Sequence, residues 1–211
     1  MSKTVSSPHP AQIGWDEYYQ TRGLQEVPWF TEQIDQDFAG FLEQHGHSFK
    51  TVLDLGTGPG TTAIDLARRG YQVTASDISP SIIVVAKQRA GKLAETIDWR
   101  VDDIIRTALN GRFDLIYDRG CFHILKPELR PDYVRQIVRL LPPRGILFIK
   151  TFSRKEPGNW GPHRFDLEEL GAYFAKKFEL LEWRETVFPG TLEKTPQALL
   201  AVFQLRKGEG K

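Results

Sequence analysis

From residue 50 onward the chain alternates between two kinds of stretch, and this alternation constrains the fold more than any other feature. TVLDL, YQVTASD, IDWRV, FDLIYD and GILFIKTF are short runs rich in β-branched and aromatic residues. Between or after them come TTAIDLARRG, SPSIIVVAKQRAG, YVRQIVRLLP and DLEELGAYFAKKF, with apolar residues three and four apart. The first pattern fits strands and the second amphipathic helices. Strands joined through helices lie parallel, so βαβ crossovers and an α/β parallel sheet are predicted. Ser79 before Pro80 reads as a helix cap, Gly70 and Gly91 read as helix stops, and Val134, Ile137, Val138 and Leu141 share one helical face. The ending breaks the alternation. FELLEWRETVF and QALLAVFQLRK are separated only by PGTLEKTP, too short for a covering helix, so the last two strands are predicted antiparallel.

Ahead of this region a polar lead of about ten residues precedes an aromatic-rich segment, GWDEYYQTRGLQEVPWF. Phe30, Ile34, Phe38 and Phe41/Leu42 then recur at helical spacing. Residues 1–48 are read as a partly helical cap without a core of its own, and residues 49–207 as the domain it covers. With 40% hydrophobic residues, 211 residues suffice for one sizeable core. Lys and Arg number 28 against 27 Asp and Glu, a net charge of +1 that lacks the basic footprint of a nucleic-acid binder. Cys121 is the single cysteine and no Cys/His cluster exists, so neither a disulfide nor a metal site is predicted. Apolar runs such as Ile82 to Ala86 and Ala198 to Phe203 fall far short of the ~18 residues of a membrane span, and no secretory leader is visible. A soluble, cytoplasmic protein without membrane contact is expected.

The chemistry concentrates in TVLDLGTGPGTT. Asp54, Gly56, Thr57, Gly58 and Gly60 fall at the end of the first strand and the start of the first helix, where glycines let the backbone approach a ligand. A plain tight turn remains an alternative for this loop taken alone. Asp77 closes the second strand, where a carboxylate can accept hydrogen bonds from ribose hydroxyls. The two together point to a nucleoside site. A dinucleotide fold would require a third glycine at position 61, which is Thr61.

These residues resemble the first motif of the class I S-adenosylmethionine-dependent methyltransferases. SDIS, VDDI and FDLIYDRG follow in that family's order, so the resemblance covers roughly residues 50 to 205. It implies a Rossmann-like, doubly wound, mostly parallel seven-stranded sheet with helices on both faces, an antiparallel C-terminal hairpin and an N-terminal helical cap. It also implies S-adenosyl-L-methionine as cofactor. Asp54, Thr57 and the glycine loop would pass beneath its methionine and ribose, and Asp77 with Ile78 would hold the ribose. Asp103 with the backbone of Ile104 would read adenine, with Asp102 as the competing choice. Asp118, closing the fourth strand, would border the cofactor.

WDEYYQTRGLQEVPWF and DRGCFHIL are also similar, more loosely, to thiopurine, thiol and tellurite-resistance methyltransferases. In that subgroup Tyr19 and Trp29 would lie over the sulfonium, where an aromatic face attracts a cation. Alternatively, Trp15, Tyr18, Tyr19, Trp29 and Phe30 simply pack the cap onto the sheet. The acceptor is expected to be a small molecule carrying a thiol, chalcogen, halide or hydroxyl. Asp118, Arg119, Cys121, Phe122 and His123 follow the fourth strand, where open α/β sheets bind ligands. His123 and Asp118 are the catalytic candidates, His123 either as a base or as a substrate-shaping group, whereas Cys121 reads as a small buried residue. His163 and Arg164 could meet an anionic substrate or fix their own loop by a salt bridge. Lys150, with Asp118, is the pattern of RNA ribose methyltransferases, a competing reading that the net charge disfavours. A non-catalytic binding or interaction module is the other. The oligomeric state is not legible.

Overall fold

A computed structural model describes residues 13–207. Two short helices, α1 (Trp15–Gln20) and α2 (Gln36–His45), precede β1 (Thr51–Leu55), α3 (Thr61–Arg68), β2 (Gln72–Asp77), α4 (Pro80–Ala90) and β3 (Ile97–Val101). Then come β4 (Leu115–Arg119), α5 (Arg130–Leu140), β5 (Ile146–Ser153), β6 (Arg164–Phe165), α6 (Leu167–Phe174), β7 (Phe178–Val187) and β8 (Gln197–Leu205). The strand order is β3-β2-β1-β4-β5-β8-β7. These are the seven strands expected, and two-residue β6, pairing with the end of β5, is an eighth.

Strands β1 to β5 pair in parallel, while β8 runs antiparallel to both β5 and β7. The terminal hairpin therefore inserts its second strand between β5 and its first. The order reverses between β1 and β4, whose ends meet where Leu55 pairs with Asp118. Ligands of open α/β sheets bind at such a switch point, outside the carboxyl ends of the strands.

Every residue of β5 is buried, as helices on both faces require. Leu147 and Ile149 pack on the side of α5 and α6, and Ile146 and Phe148 on the side of α2 and α3. Each fully buried side chain of this kind contributes about 1.5–3 kcal/mol. Ser79 caps α4 by accepting from the Ile82 amide at 3.2 Å, with Pro80 in the first turn.

Two helix assignments differ from the sequence pattern. Asp35 accepts from the Asp37 amide at 3.1 Å and starts α2 at Gln36, so Phe30 and Ile34 are buried but lie outside it. The buried face of α5 consists of Arg130, Tyr133, Ile137 and Leu140, with Leu141 beyond the last turn. Val134 and Val138 pack at the margin of the core. Among the described residues no helix is long and apolar enough to cross a membrane. The polar lead falls mostly outside the described residues.

Candidate functional site

The link from β1 to α3 is folded back on itself by its own side chains. Gly56 has φ 68°, and a Cβ there would lie 2.1 Å from the Cys121 sulfur, so only glycine fits between β1 and the β4 turn. Thr57 donates its hydroxyl to Asp54 at 2.6 Å and its amide to the Ser76 carbonyl at 2.9 Å. The Gly58 amide donates to Asp77 at 3.0 Å, and the Ser79 amide donates to the other Asp77 oxygen at the same distance. Asp54, the glycine loop and Asp77 are thus brought together at the switch point. Burial pushes the Asp54 carboxyl up to about 7 and the Asp77 carboxyl to about 6, the latter shift opposed by the Ser79 and Gly58 amides.

Position 61 has its own task. The Thr61 hydroxyl donates to the Thr31 carbonyl at 2.7 Å, and Arg89 joins Pro59 at 2.5 Å, Thr61 at 3.1 Å and Glu32 at 3.2 Å. Asp16 accepts from Ser79 and Ser81 at the start of α4. Arg119 donates to Asp35, to the Trp29 carbonyl and to the Pro189 carbonyl. Opposite, a Cβ on Gly190 would lie 2.0 Å from the Pro28 carbonyl oxygen, a contact only glycine allows. The cap is fastened at both ends of the loop.

Tyr19 and Trp29 reach the loop. The Tyr19 hydroxyl stands 3.8 Å from where a Gly58 Cβ would be, and Trp29 donates to it at 3.2 Å. Trp15 and Tyr18 back them, with ring centroids between 5.4 and 6.3 Å apart across the four rings. Phe30 is buried with Tyr18 and Val27. A cavity of about 50 Å³ remains between Trp29, Asp35, Tyr117, Arg119 and the loop. That is room for a few waters. A larger groove of about 440 Å³, beside Phe41, His45, Arg144 and Leu181, lies at the opposite edge of the sheet and holds none of the expected residues.

Farther out, Ile78 is 50% exposed at the end of β2. Asp103 accepts from the Ile105 amide at 3.0 Å, and Ile104 is buried in the core. Asp102 accepts from the Ala108 amide at 2.9 Å through one oxygen, while its other oxygen is buried without a partner. Each carboxylate therefore retains an oxygen that is not committed to its own turn.

Both catalytic candidates are buried. His123 is buried, and its Nδ1 accepts from the Phe152 amide at 2.9 Å. Burial, with Arg119 and Arg130 nearby, pushes its pKa down to about 3. It is neutral at physiological pH, with its Nδ1 already occupied as an acceptor. With a neutral hydroxyl acceptor, kcat is expected to show no inflection near pH 6.5, the ordinary imidazole range; a pH–rate profile that titrates there and loses the step in His123→Gln would restore the base role. Asp118 is 0% exposed and accepts from the Gly120, Cys121 and Phe122 amides and from the Tyr133 hydroxyl at 2.5 Å. Four donors occupy its two oxygens, so it staples the β4 turn.

Lys150 does not pair with Asp118. Its ammonium lies 3.0 and 2.8 Å from the two Asp35 oxygens and 2.7 Å from Asp37. His163 meets Glu169 at 2.7 Å, and Arg164 donates to the carbonyls of Glu156, Gly158 and Trp160, so both fix their loop. Cys121 donates to the Leu55 carbonyl at 3.6 Å, and burial raises its pKa well above the thiol range. No group of His, Cys, Asp and Glu suited to a metal occurs among the described residues. Sequence reasoning missed Asp16, Asp35 and Arg89. Asp35 carried a signal, the acidic cap before QDF, but its cationic partners, Arg119 and Lys150, lie 84 and 115 residues away.

A methyltransferase-domain family model matches residues 52–145, from β1 to the start of β5. The chain is 33% identical over 153 residues to 2-heptyl-1-hydroxyquinolin-4(1H)-one methyltransferase of Mycobacteroides abscessus, covering 71% of this chain and 67% of that protein. It is 31% identical over 200 residues to human EEF1A lysine methyltransferase 2, covering 82% and 78%. A solved SAM-dependent methyltransferase from Anabaena variabilis superposes with a TM-score of 0.75 at 19% identity, over 98% of this chain and 99% of that one, a likeness of fold.

Proposed function

Because the chain belongs to the class I S-adenosylmethionine-dependent methyltransferases, we propose that it methylates a small-molecule acceptor by in-line displacement without a general base of its own. The observation that carries this reading is Asp77 turned back onto the Gly58 amide beneath Tyr19, at the switch point of the sheet. The cofactor is S-adenosylmethionine, and the residues present fit it. Asp77 would hold the ribose hydroxyls, and the buried unpartnered oxygen of Asp102 or the free oxygen of Asp103 would accept from the adenine amine. When bound, the group supplies an electrophilic methyl on a cationic sulfur.

The chain's own residues then have three tasks. Tyr19 and Trp29 would lie against the sulfonium, an attraction of about 0.5–2 kcal/mol. The cap, fastened through Asp16, Thr61 and Arg119, excludes water from the reacting atoms. The turn that Asp118 staples holds the acceptor wall in place, and positioning of this kind can supply several kcal/mol as effective molarity. With His123 neutral and Asp118 saturated, acceptors that arrive ionised or of low pKa, such as thiolates and acidic hydroxyls, suit the site best.

The named relatives act on a hydroxyquinolone and on a protein lysine. The even coverage of the second favours a lysine amine as the alternative acceptor. Methylation of RNA ribose loses its support with Lys150 engaged by Asp35 and Asp37. A cytoplasmic setting suits a chain whose one cysteine requires no oxidising compartment. Assaying S-adenosylhomocysteine formation with thiols, halides, phenols, amines, a lysine peptide and RNA tests the proposal. Turnover of thiols or phenols is the expected result, and turnover confined to the peptide or the RNA would contradict it.

A further inference from the structure

We infer that the acceptor is a planar aromatic compound whose one ionisable group is its acidic nucleophile, and that Trp160 is the platform on which it stacks. This rests on the methyltransferase reading above and names the class of molecule it serves. A contiguous wall leads from the glycine loop to Trp160. Cys121 touches the Gly56 position, and the next glycine, Gly120, is backed by the His123 ring 3.1 Å from where its Cβ would be. His123 meets Phe152 edge-on with centroids 5.2 Å apart, and Phe188 lies 5.6 Å from His123 and 5.3 Å from Phe152. Those three are buried. Trp160 ends the series, edge-on to Phe152 at 5.6 Å and 46% exposed.

A single exposed apolar residue is ordinary on a protein surface. Trp160 differs in how it is held. Arg164 spends its guanidinium on three carbonyls of the same loop, those of Glu156, Gly158 and Trp160 itself. The loop is further tied to the β4 turn, where the His163 amide donates to the His123 carbonyl at 3.2 Å. A large ring kept in water on a backbone fixed in this way is organised for a ligand before one arrives, so little ordering entropy is lost on binding.

Charge decides what kind of ligand. Arg119 and Lys150 are neutralised by Asp35 and Asp37, His163 is paired with Glu169, and His123 is neutral. Ile124, beside His123, adds an exposed apolar side chain. The wall's own described side chains, His123, Phe152, Phe188, Trp160 and Ile124, carry no charge, so it offers an aromatic face and aliphatic carbon, and the Arg164 guanidinium beside it is engaged by three loop carbonyls. A flat aromatic ring bearing its nucleophile matches it, gaining from offset or edge-on contact with Trp160.

The test compares 1-naphthol with decahydro-1-naphthol, which has the same hydroxyl and carbon frame but no aromatic face. Their dissociation constants are measured by calorimetry on the full chain with S-adenosylhomocysteine present, for the unmodified protein and for Trp160→Ala, Trp160→Leu and Trp160→Phe. We expect 1-naphthol to bind about tenfold more tightly than its saturated counterpart, the preference to vanish in the Ala and Leu variants and to return in Phe, with homocysteine-ligand affinity within about twofold throughout. No preference in the unmodified protein, or equal losses for both probes, would overturn the inference. Trp160-dependent binding without methyl transfer to any acceptor would leave the Trp160 platform standing and remove the functional reading. Methyl transfer with binding insensitive to Trp160 would do the reverse.

Discussion

Replacing Lys150 by Ala is expected to destabilise the fold by about 3 kcal/mol, measured as the loss in unfolding free energy in urea at constant slope. Lys150 is 1% exposed, and its ammonium is shared between both oxygens of buried Asp35 and one oxygen of Asp37. Without it, Asp35 stays out of water with Arg119, at 3.0 Å, as its remaining cation. That surviving partner places the loss at the lower end of the roughly 3–5 kcal/mol found when a buried pair is broken from one side. Removing the carboxylate as well, in Lys150→Met with Asp35→Asn, is expected to recover part of the loss. A Lys150→Ala protein with an unchanged denaturation midpoint would mean that the cluster is not dry, and that the cap is held to β5 by packing alone.

Asp77→Ala is expected to weaken binding of S-adenosylhomocysteine by about 1.5–3 kcal/mol, the range for a lost hydrogen bond to a charged group. The same residue sets a pH dependence. Burial raises the Asp77 carboxyl to about 6, and a ligand hydroxyl donates to its ionised form, so affinity falls as the pH drops below about 6. For folding the sign is the opposite. A carboxylate whose pKa is raised by folding makes the fold most stable below the unfolded value of about 4 and less so as the pH rises through 6. The contributions of Asp77 to binding and to stability should therefore move in opposite directions across this window. Affinity in Asp77→Ala that still falls below pH 6 would assign the titration to another group.

The fold was legible where a local rule determines it. Ser79 and Pro80 specify the start of α4 by capping chemistry, and the short PGTLEKTP link allows only a hairpin. Nothing local says that β8 enters the sheet beside β5, because strand order depends on which faces remain to be covered. The apolar spacing from Phe30 suggested one helix, and the Asp35 cap overrode it. At the site, the glycine loop and Asp77 could be read because their task is performed by the backbone and by a residue at a strand end. The parts played by His123 and Asp118 could not, since they depend on burial and on donors such as the Phe152 amide and the Tyr133 hydroxyl. Lys150 and Asp35 are 115 residues apart, beyond any spacing rule.

The arrangement stands or falls with the contact between Asp77 and the sugar. The direct measurement is a double-mutant cycle in which S-adenosylhomocysteine and its 2′,3′-dideoxy analogue are each titrated calorimetrically against the unmodified protein and Asp77→Ala. The unmodified protein should discriminate between the ligands by about tenfold or more, and Asp77→Ala should bind both with the same reduced affinity. Independent, additive losses from the two changes would show that the carboxylate and the ribose hydroxyls never meet.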